Sequence, residues 1–214
     1  MLNVRTFCVN PLGENCYILY NENNETAIVD CGAYEQSECE GIASFVHDNN
    51  LVIKHVLQTH AHFDHIFGLP YLFKKYGVKP QMHENEKLWY EHANEMTIAV
   101  LGVGLKETMP EVEAYLQDNQ IIELGDEKIK VIHTPGHSKG CVCFYNEKNK
   151  ILLSGDTLFC GSIGRADLEG GNQIQEITSI YKKLMVLPDD VKVFPGHGGP
   201  TSIGYERENN YYLK

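Results

Sequence analysis

Long apolar runs are missing from this sequence. None of its 214 residues falls in a stretch approaching the roughly 18 to 20 apolar residues that a membrane-spanning helix needs, so no membrane partner is expected. The first residues, Met1-Leu2-Asn3-Val4-Arg5-Thr6-Phe7, lack the pattern of a secretory signal. Positive charge is scarce. Eighteen Lys and Arg face 29 Asp and Glu, a net −11, which argues against a general affinity for nucleic acid or anionic lipid. A disulfide framework is missing too: the seven cysteines are odd in number and scattered, which fits reduced thiols in a cytoplasm. The one close pair, Cys141 and Cys143, has strand spacing and reads as packing on one face. No linker, low-complexity segment or fixed-period repeat interrupts the chain. With 43% hydrophobic residues, a large buried core is expected, and residues 1–214 are read as a single domain.

What is present is a succession of strands and helices. Val4–Val9, Cys16–Tyr20 and Thr26–Val29 read as a β-meander, with Asn10-Pro11-Leu12-Gly13 as its first turn. Asp30 ends the third strand, either to orient a ligand or as a plain turn residue. Tyr34–His47 reads as a helix, Val52–Leu57 as a strand, and Ile66–Tyr76 as a helix ended by Gly77. This succession predicts α/β layering. Lys79–His83 is read as a short strand, and residues 84–118 as two helices with a glycine-containing break. Gln120–Glu123 and Lys128–Ile132 pair through Gly125-Asp126, and Cys141–Tyr145 pairs with Lys150–Leu153. A glycine-rich loop spans Gly161–Gly171. Ile174–Leu187 is an amphipathic helix with Ile177, Ile180, Tyr181 and Leu184 on one face. Val191–Phe194 is a last strand, and the tail after Gly204 carries a final helical turn.

The chemistry concentrates at Thr59-His60-Ala61-His62-Phe63-Asp64-His65, directly behind the Val52–Leu57 strand. In an extended segment alternate side chains share a face, so His60 and His62 can reach one ion while Asp64 and His65 point elsewhere. His137 and His197 each follow a strand and a Pro-Gly turn, which holds the histidine on a rigid loop. Asp156 stands just beyond an apolar strand, where a carboxylate is costly unless paired or metal-bound. His83 and His92 lie outside any tight ligand spacing and read as structural or exposed. The seven ligands His60, His62, Asp64, His65, His137, Asp156 and His197 are too many for one tetrahedral ion. They suit two divalent ions: His60, His62 and His137 on the first, Asp64, His65 and His197 on the second, Asp156 between. Zinc comes first, and iron or manganese accept the same donors. Ions about 3.5 to 4 Å apart can share a water and lower its pKa to roughly 7, giving a bridging hydroxide nucleophile. Asp64 is the expected catalytic residue, orienting that nucleophile and taking its proton.

This chain resembles the metallo-β-lactamase-fold hydrolases. The resemblance runs through His60-Ala61-His62-Phe63-Asp64-His65, Thr134-Pro135-Gly136-His137-Ser138, Gly155-Asp156-Thr157-Leu158-Phe159 and Pro195-Gly196-His197. Within that superfamily it is most similar to the glyoxalase II group, in its short single-domain form, on Gly164-Arg165-Ala166-Asp167-Leu168-Glu169-Gly170-Gly171. The resemblance implies a four-layer αβ/βα sandwich with a dinuclear site at one sheet edge. It also implies hydrolysis of a small thioester, S-acylglutathione, to an acid and a thiol. Two departures stand out. The family's full-length members hold glutathione with a C-terminal helical domain, for which no residues follow Lys214. Their lysine-aromatic pair in the glycine-rich loop is Arg165-Ala166 here. Arg165 either contacts a substrate carboxylate or pairs with Asp167. The same motifs also resemble the persulfide dioxygenases, which use one iron. A phosphodiesterase is set lower for nucleic acid by the net charge of −11, and a non-catalytic metal-binding or partner-binding domain on the same scaffold is set lower because all seven ligands are present. β-Lactam hydrolysis is set lower by the cysteine pattern and the glyoxalase-like loop.

Overall fold

Along the strands, neighbouring apolar residues point to opposite faces, and that alternation sorts the interior into three cores. The computed structural model describes residues 1–214. The first sheet contains β1 (Asn3–Val9), β2 (Glu14–Tyr20), β3 (Glu25–Val29), β4 (Val52–Leu57), β5 (Pro80–His83) and β6 (Ala114–Leu116), in that spatial order. β1 to β3 are antiparallel, while β3 to β6 run parallel. The second sheet begins with β7 (Ile121–Leu124), β8 (Glu127–His133), β9 (Val142–Asn146) and β10 (Ile151–Gly155). A small ribbon follows, β11 (Leu158–Phe159) and β12 (Ser162–Ile163). Then β13 (Lys192–Pro195) and β14 (Thr201–Ser202) complete the second sheet in the order β14-β13-β10-β9-β8-β7.

The middle core lies between the sheets. Leu19, Val29 and Leu57 of the first meet Val131, Val142, Phe144 and Leu153 of the second. Their sequence neighbours face outward. Ile18, Ile28 and Val56 pack on Ile42 and Val46 of α1 (Gln36–Asp48), and on Leu69 and Leu72, which lie beyond the short α2 (Phe63–Ile66) in α3 (Leu69–Tyr76). Trp89 and Tyr90 of α4 (Lys87–Glu91) and Ala93 of α5 (Ala93–Leu101) join them. Ile132, Cys143, Leu152 and Val193 pack on Ile180 and Leu184, in the turn after α6 (Gln173–Ser179), and on Ile203 of α7 (Ile203–Asn209). Helix, sheet, sheet and helix stack as the expected four-layer αβ/βα sandwich. Strands buried on both faces read as continuous apolar runs, as Ile151-Leu152-Leu153 does. No helix is long and apolar enough to cross a membrane.

Three segments differ from the sequence-based expectation. The helix read over Ile66–Tyr76 is two, because Gly68 and Pro70 start α3 afresh. In 84–118 the break between α4 and α5 falls at His92, and Gly102 ends α5 rather than joining two helices. The same segment ends in β6, a three-residue edge strand with two exposed side chains and no burial alternation to betray it. The amphipathic helix after Gly171 widens into a π-type turn over Ile180–Leu184, and Tyr181 of its predicted apolar face is exposed.

Phe144 is fully buried between the sheets. Phe144→Ala is expected to remove about 3–5 kcal/mol of stability, measured from the shift of a urea unfolding midpoint.

Candidate metal centre

β8 and β10 are both antiparallel to β9, and β13 is parallel to β10. Three strands of the second sheet therefore finish at one edge, where they release His137, Asp156 and His197. The first sheet meets that edge with the residues after β4. Thr59 to His62 lead into α2, which carries Asp64 and His65. Hydrogen bonds sew the two edges together. The Val142 N–H donates to the Thr59 carbonyl at 2.9 Å. Asn15 Nδ2 and the Tyr17 hydroxyl donate to the Pro195 carbonyl at 3.0 and 2.6 Å.

All seven predicted ligands converge there. His137 Nε2 lies 2.8 Å from His62 Nδ1 and 3.3 Å from His60 Nε2. Asp64 Oδ2 lies 3.2 Å from His197 Nε2 and 3.8 Å from His65 Nε2. Asp156 sits between the groups: its Oδ1 is 3.4 Å from His65 Nε2, and its Oδ2 is 3.7 Å from both His137 Nε2 and His197 Nε2. A Cβ on Gly196 would come within 2.2 Å of Asp156 Oδ1, so the Pro-Gly turn before His197 needs its glycine. His83 and His92 belong to neither group; His83 stacks on His133 with ring centroids 4.1 Å apart.

The outward-facing ring nitrogens decide which inward-facing ones are bare. Asp30, in the left-handed region at φ +50°, accepts the Thr59 N–H at 2.7 Å and the Thr59 hydroxyl at 2.6 Å. With its proton committed, that hydroxyl accepts from His60 Nδ1 at 3.1 Å. His65 Nδ1 donates to the same Asp30 carboxylate at 3.2 Å. His137 Nδ1 donates to the Arg165 carbonyl at 2.6 Å and His197 Nδ1 to the Leu12 carbonyl at 3.2 Å. A neutral imidazole whose Nδ1 carries the proton presents a lone pair at Nε2. Burial and the neighbouring histidines push the pKa of His60 well down, and burial and His137 push that of His62 down to about 3. Both rings are held neutral. His60 Nε2, its ring proton held at Nδ1, turns a lone pair towards His137 Nε2 at 3.3 Å, an arrangement that suits a shared cation. His65 Nε2 and Asp156 Oδ1 are buried without any hydrogen-bond partner. These atoms fit divalent metal, and a mixed imidazole and carboxylate set suits zinc, iron or manganese.

The two groups differ electrically. Burial pushes the His65 pKa down, but Asp156 and Asp64 outweigh it and hold it well above the usual value. Burial pushes Asp156 up, yet His65, His137 and His197 hold it below the usual carboxylate range. A carboxylate facing both groups balances charge across them.

Arg165 presents its guanidinium to Asp167 in a two-pronged pair at 2.8 and 3.0 Å, both side chains exposed. Several supporting residues escaped the sequence reading. Thr59 and the carbonyls of Leu12 and Arg165 carry no sequence signal as orienting groups. Glu176 does: at i, i+4, i+8 with Ile180 and Leu184, it puts an acid on an apolar helix face. It is fully buried and accepts the His137 N–H at 2.6 Å. Asp30, left open between ligand orientation and a turn, orients.

Residues 9–197 match the Metallo-beta-lactamase superfamily. The chain belongs to that superfamily. Hydroxyacylglutathione hydrolase GloC of Haemophilus influenzae is 30% identical over 219 residues, covering 99% of this chain and 98% of that protein. Among solved structures, the B3 metallo-beta-lactamase BLEG-1 is 32% identical with a TM-score of 0.90, each chain covered completely. TTHA1623, solved in a di-iron-bound form, is 31% identical with a TM-score of 0.87, covering 98% of this chain and 100% of that one. Membership in this metallo-hydrolase superfamily supports hydrolysis of a small molecule, with divalent metal as cofactor.

Adding zinc, iron(II) or manganese(II) to metal-stripped protein is expected to raise its stability. A free ion at 100 times its dissociation constant contributes about 2.7 kcal/mol, read as a rise in melting temperature that a chelator reverses. His62→Ala should shrink that rise.

Proposed function

We propose that this chain is a metal-dependent thioester hydrolase of the hydroxyacylglutathione hydrolase type. The observation that carries the reading is Asp156, placed between two imidazole groups, which supports a pocket for two divalent ions rather than one. Similarity to GloC along nearly the whole chain supports the substrate class. His60, His62 and His137 would hold the first ion, Asp64, His65 and His197 the second, and Asp156 both, with zinc the first candidate. When bound, such ions act as Lewis acids on a carbonyl and lower the pKa of water.

The chain's own residues supply the rest. Burial pushes the Asp64 carboxyl up, but His65 and the hydrogen bond from His197 hold it below its ordinary value. It therefore stays an anion at neutral pH, able to orient a water and accept its proton. A thiolate leaves with less proton assistance than an amine, because a free thiol has a pKa of roughly 8.5. Arg165 stands on the loop whose carbonyl holds His137, and its guanidinium can exchange Asp167 for a carboxylate of the substrate. The three cores share their sheets, so residues 1–214 act as one domain. All seven cysteines are free, in keeping with a reducing cytoplasm.

Similarity to BLEG-1 favours a second reading, β-lactam hydrolysis by the same residues. Turnover of S-lactoylglutathione, a simple acyl thioester and a β-lactam, measured beside metal content, separates the two. Thioester turnover with two ions per chain is expected. Asp156→Ala should lose metal and activity together, and Asp64→Asn should slow turnover at least about 100-fold. Parental turnover of thioesters by metal-depleted His62→Ala protein would sink the mechanism. Oxygen uptake with glutathione persulfide and one iron per chain would replace it with a dioxygenase.

A further inference from the structure

The short 3-10 turn Glu84–Glu86, just after β5, ends on a carboxylate that no part of the hydrolytic reading uses. Glu86 is fully buried. Its two oxygens take three hydrogen bonds, all from the loops that bear the first metal group. Oε2 accepts the N–H of Ala61, the residue between His60 and His62, at 2.8 Å. Oε1 accepts the Ser138 hydroxyl at 2.5 Å and the Gly140 N–H at 2.8 Å, just past His137. Ala61 follows β4 of the first sheet, and Ser138 and Gly140 follow β8 of the second. The approach is close: a Cβ on Gly140 would lie 2.7 Å from Glu86 Cγ. One turn further on, Trp89 packs edge-to-face on His62 with ring centroids 5.6 Å apart.

Burying an acid costs free energy that an apolar side chain of the same size would not. What an apolar side chain lacks is acceptors directed both ways. We propose that Glu86 is a positioning residue: its carboxylate ties the His60–His62 loop to the His137 loop and so sets the spacing of the three imidazoles of the first metal group. The proposal rests on reading His60, His62 and His137 as metal ligands, and is independent of the thioester chemistry. Groups that hold ligands in place typically change metal affinity by 10–100-fold when removed.

Glu86→Gln tests it, since the amide has nearly the same shape but turns a donor towards either Ala61 N–H or Gly140 N–H and releases one loop. Zinc affinity, by competition with a chromogenic chelator, and the visible spectrum of cobalt(II)-loaded protein are compared with the parental chain at a temperature where both are folded. The expected result is affinity lower by about 10–100-fold with an altered cobalt spectrum. Ser138→Ala, which removes only one of the three bonds, is expected to shift both readouts the same way by less, and it serves if Glu86→Gln does not fold. A folded Glu86→Gln protein with parental affinity and spectrum overturns the proposal, as does an unchanged Ser138→Ala protein where Glu86→Gln fails to fold. Failure of the parental chain itself to bind zinc or cobalt would instead overturn the metal reading beneath it.

Discussion

Imidazole nitrogens aimed at one another in a buried pocket are the constraint on which this molecule turns. His137 Nε2 lies within hydrogen-bonding distance of both His60 Nε2 and His62 Nδ1, while the outer nitrogens of His60 and His137 are engaged elsewhere. The setting is dry, so electrostatic interactions among these rings are little screened. Much of the surrounding structure serves to keep those rings from turning away. Asp30 and Thr59 claim the outer nitrogens on the first-sheet side, and backbone carbonyls claim those of His137 and His197. The orientation of each ring is thus set by residues of the fold itself.

The sandwich explains why such a pocket can be built at all. Neither sheet carries a complete set of donors. The first contributes His60, His62, Asp64 and His65, and the second contributes His137, Asp156 and His197. They meet because β4, β8, β10 and β13 deliver their trailing loops to a common edge while Leu57, Val131 and Leu153 interlock below it. Packing in the middle core therefore fixes the relative placement of groups that lie nearly 140 residues apart in sequence. The buried acids Glu176 and Glu86 accept backbone N–H groups from the loops that carry the rings.

Much of this was legible in the sequence where the physical signal is local. The ligand motifs follow apolar strands and Pro-Gly turns, so His137 and His197 announce themselves through rigid-turn chemistry. The layered architecture follows from strand and helix succession together with the family resemblance. The parts that were hidden depend on tertiary context. β6 has three residues and no alternation. The π-type turn at Ile180–Leu184 keeps helical spacing in the sequence while rotating Tyr181 outward. Orienting groups such as the Leu12 carbonyl have no side-chain signature, because any residue supplies one. Glu176 was readable as a charge on an apolar face, and only the folded structure shows that face turned towards His137.

Two of the four orienting contacts come from main-chain oxygens, at Leu12 and Arg165, both on loops bordering the pocket. A carbonyl is indifferent to the side chain attached beside it. Mutation can therefore redraw the rim at these positions, changing which molecules are admitted, while the tautomers of His197 and His137 persist. Chemical machinery and substrate preference are thereby separable during divergence, a route by which one scaffold can acquire new specificities without passing through inactive ancestors.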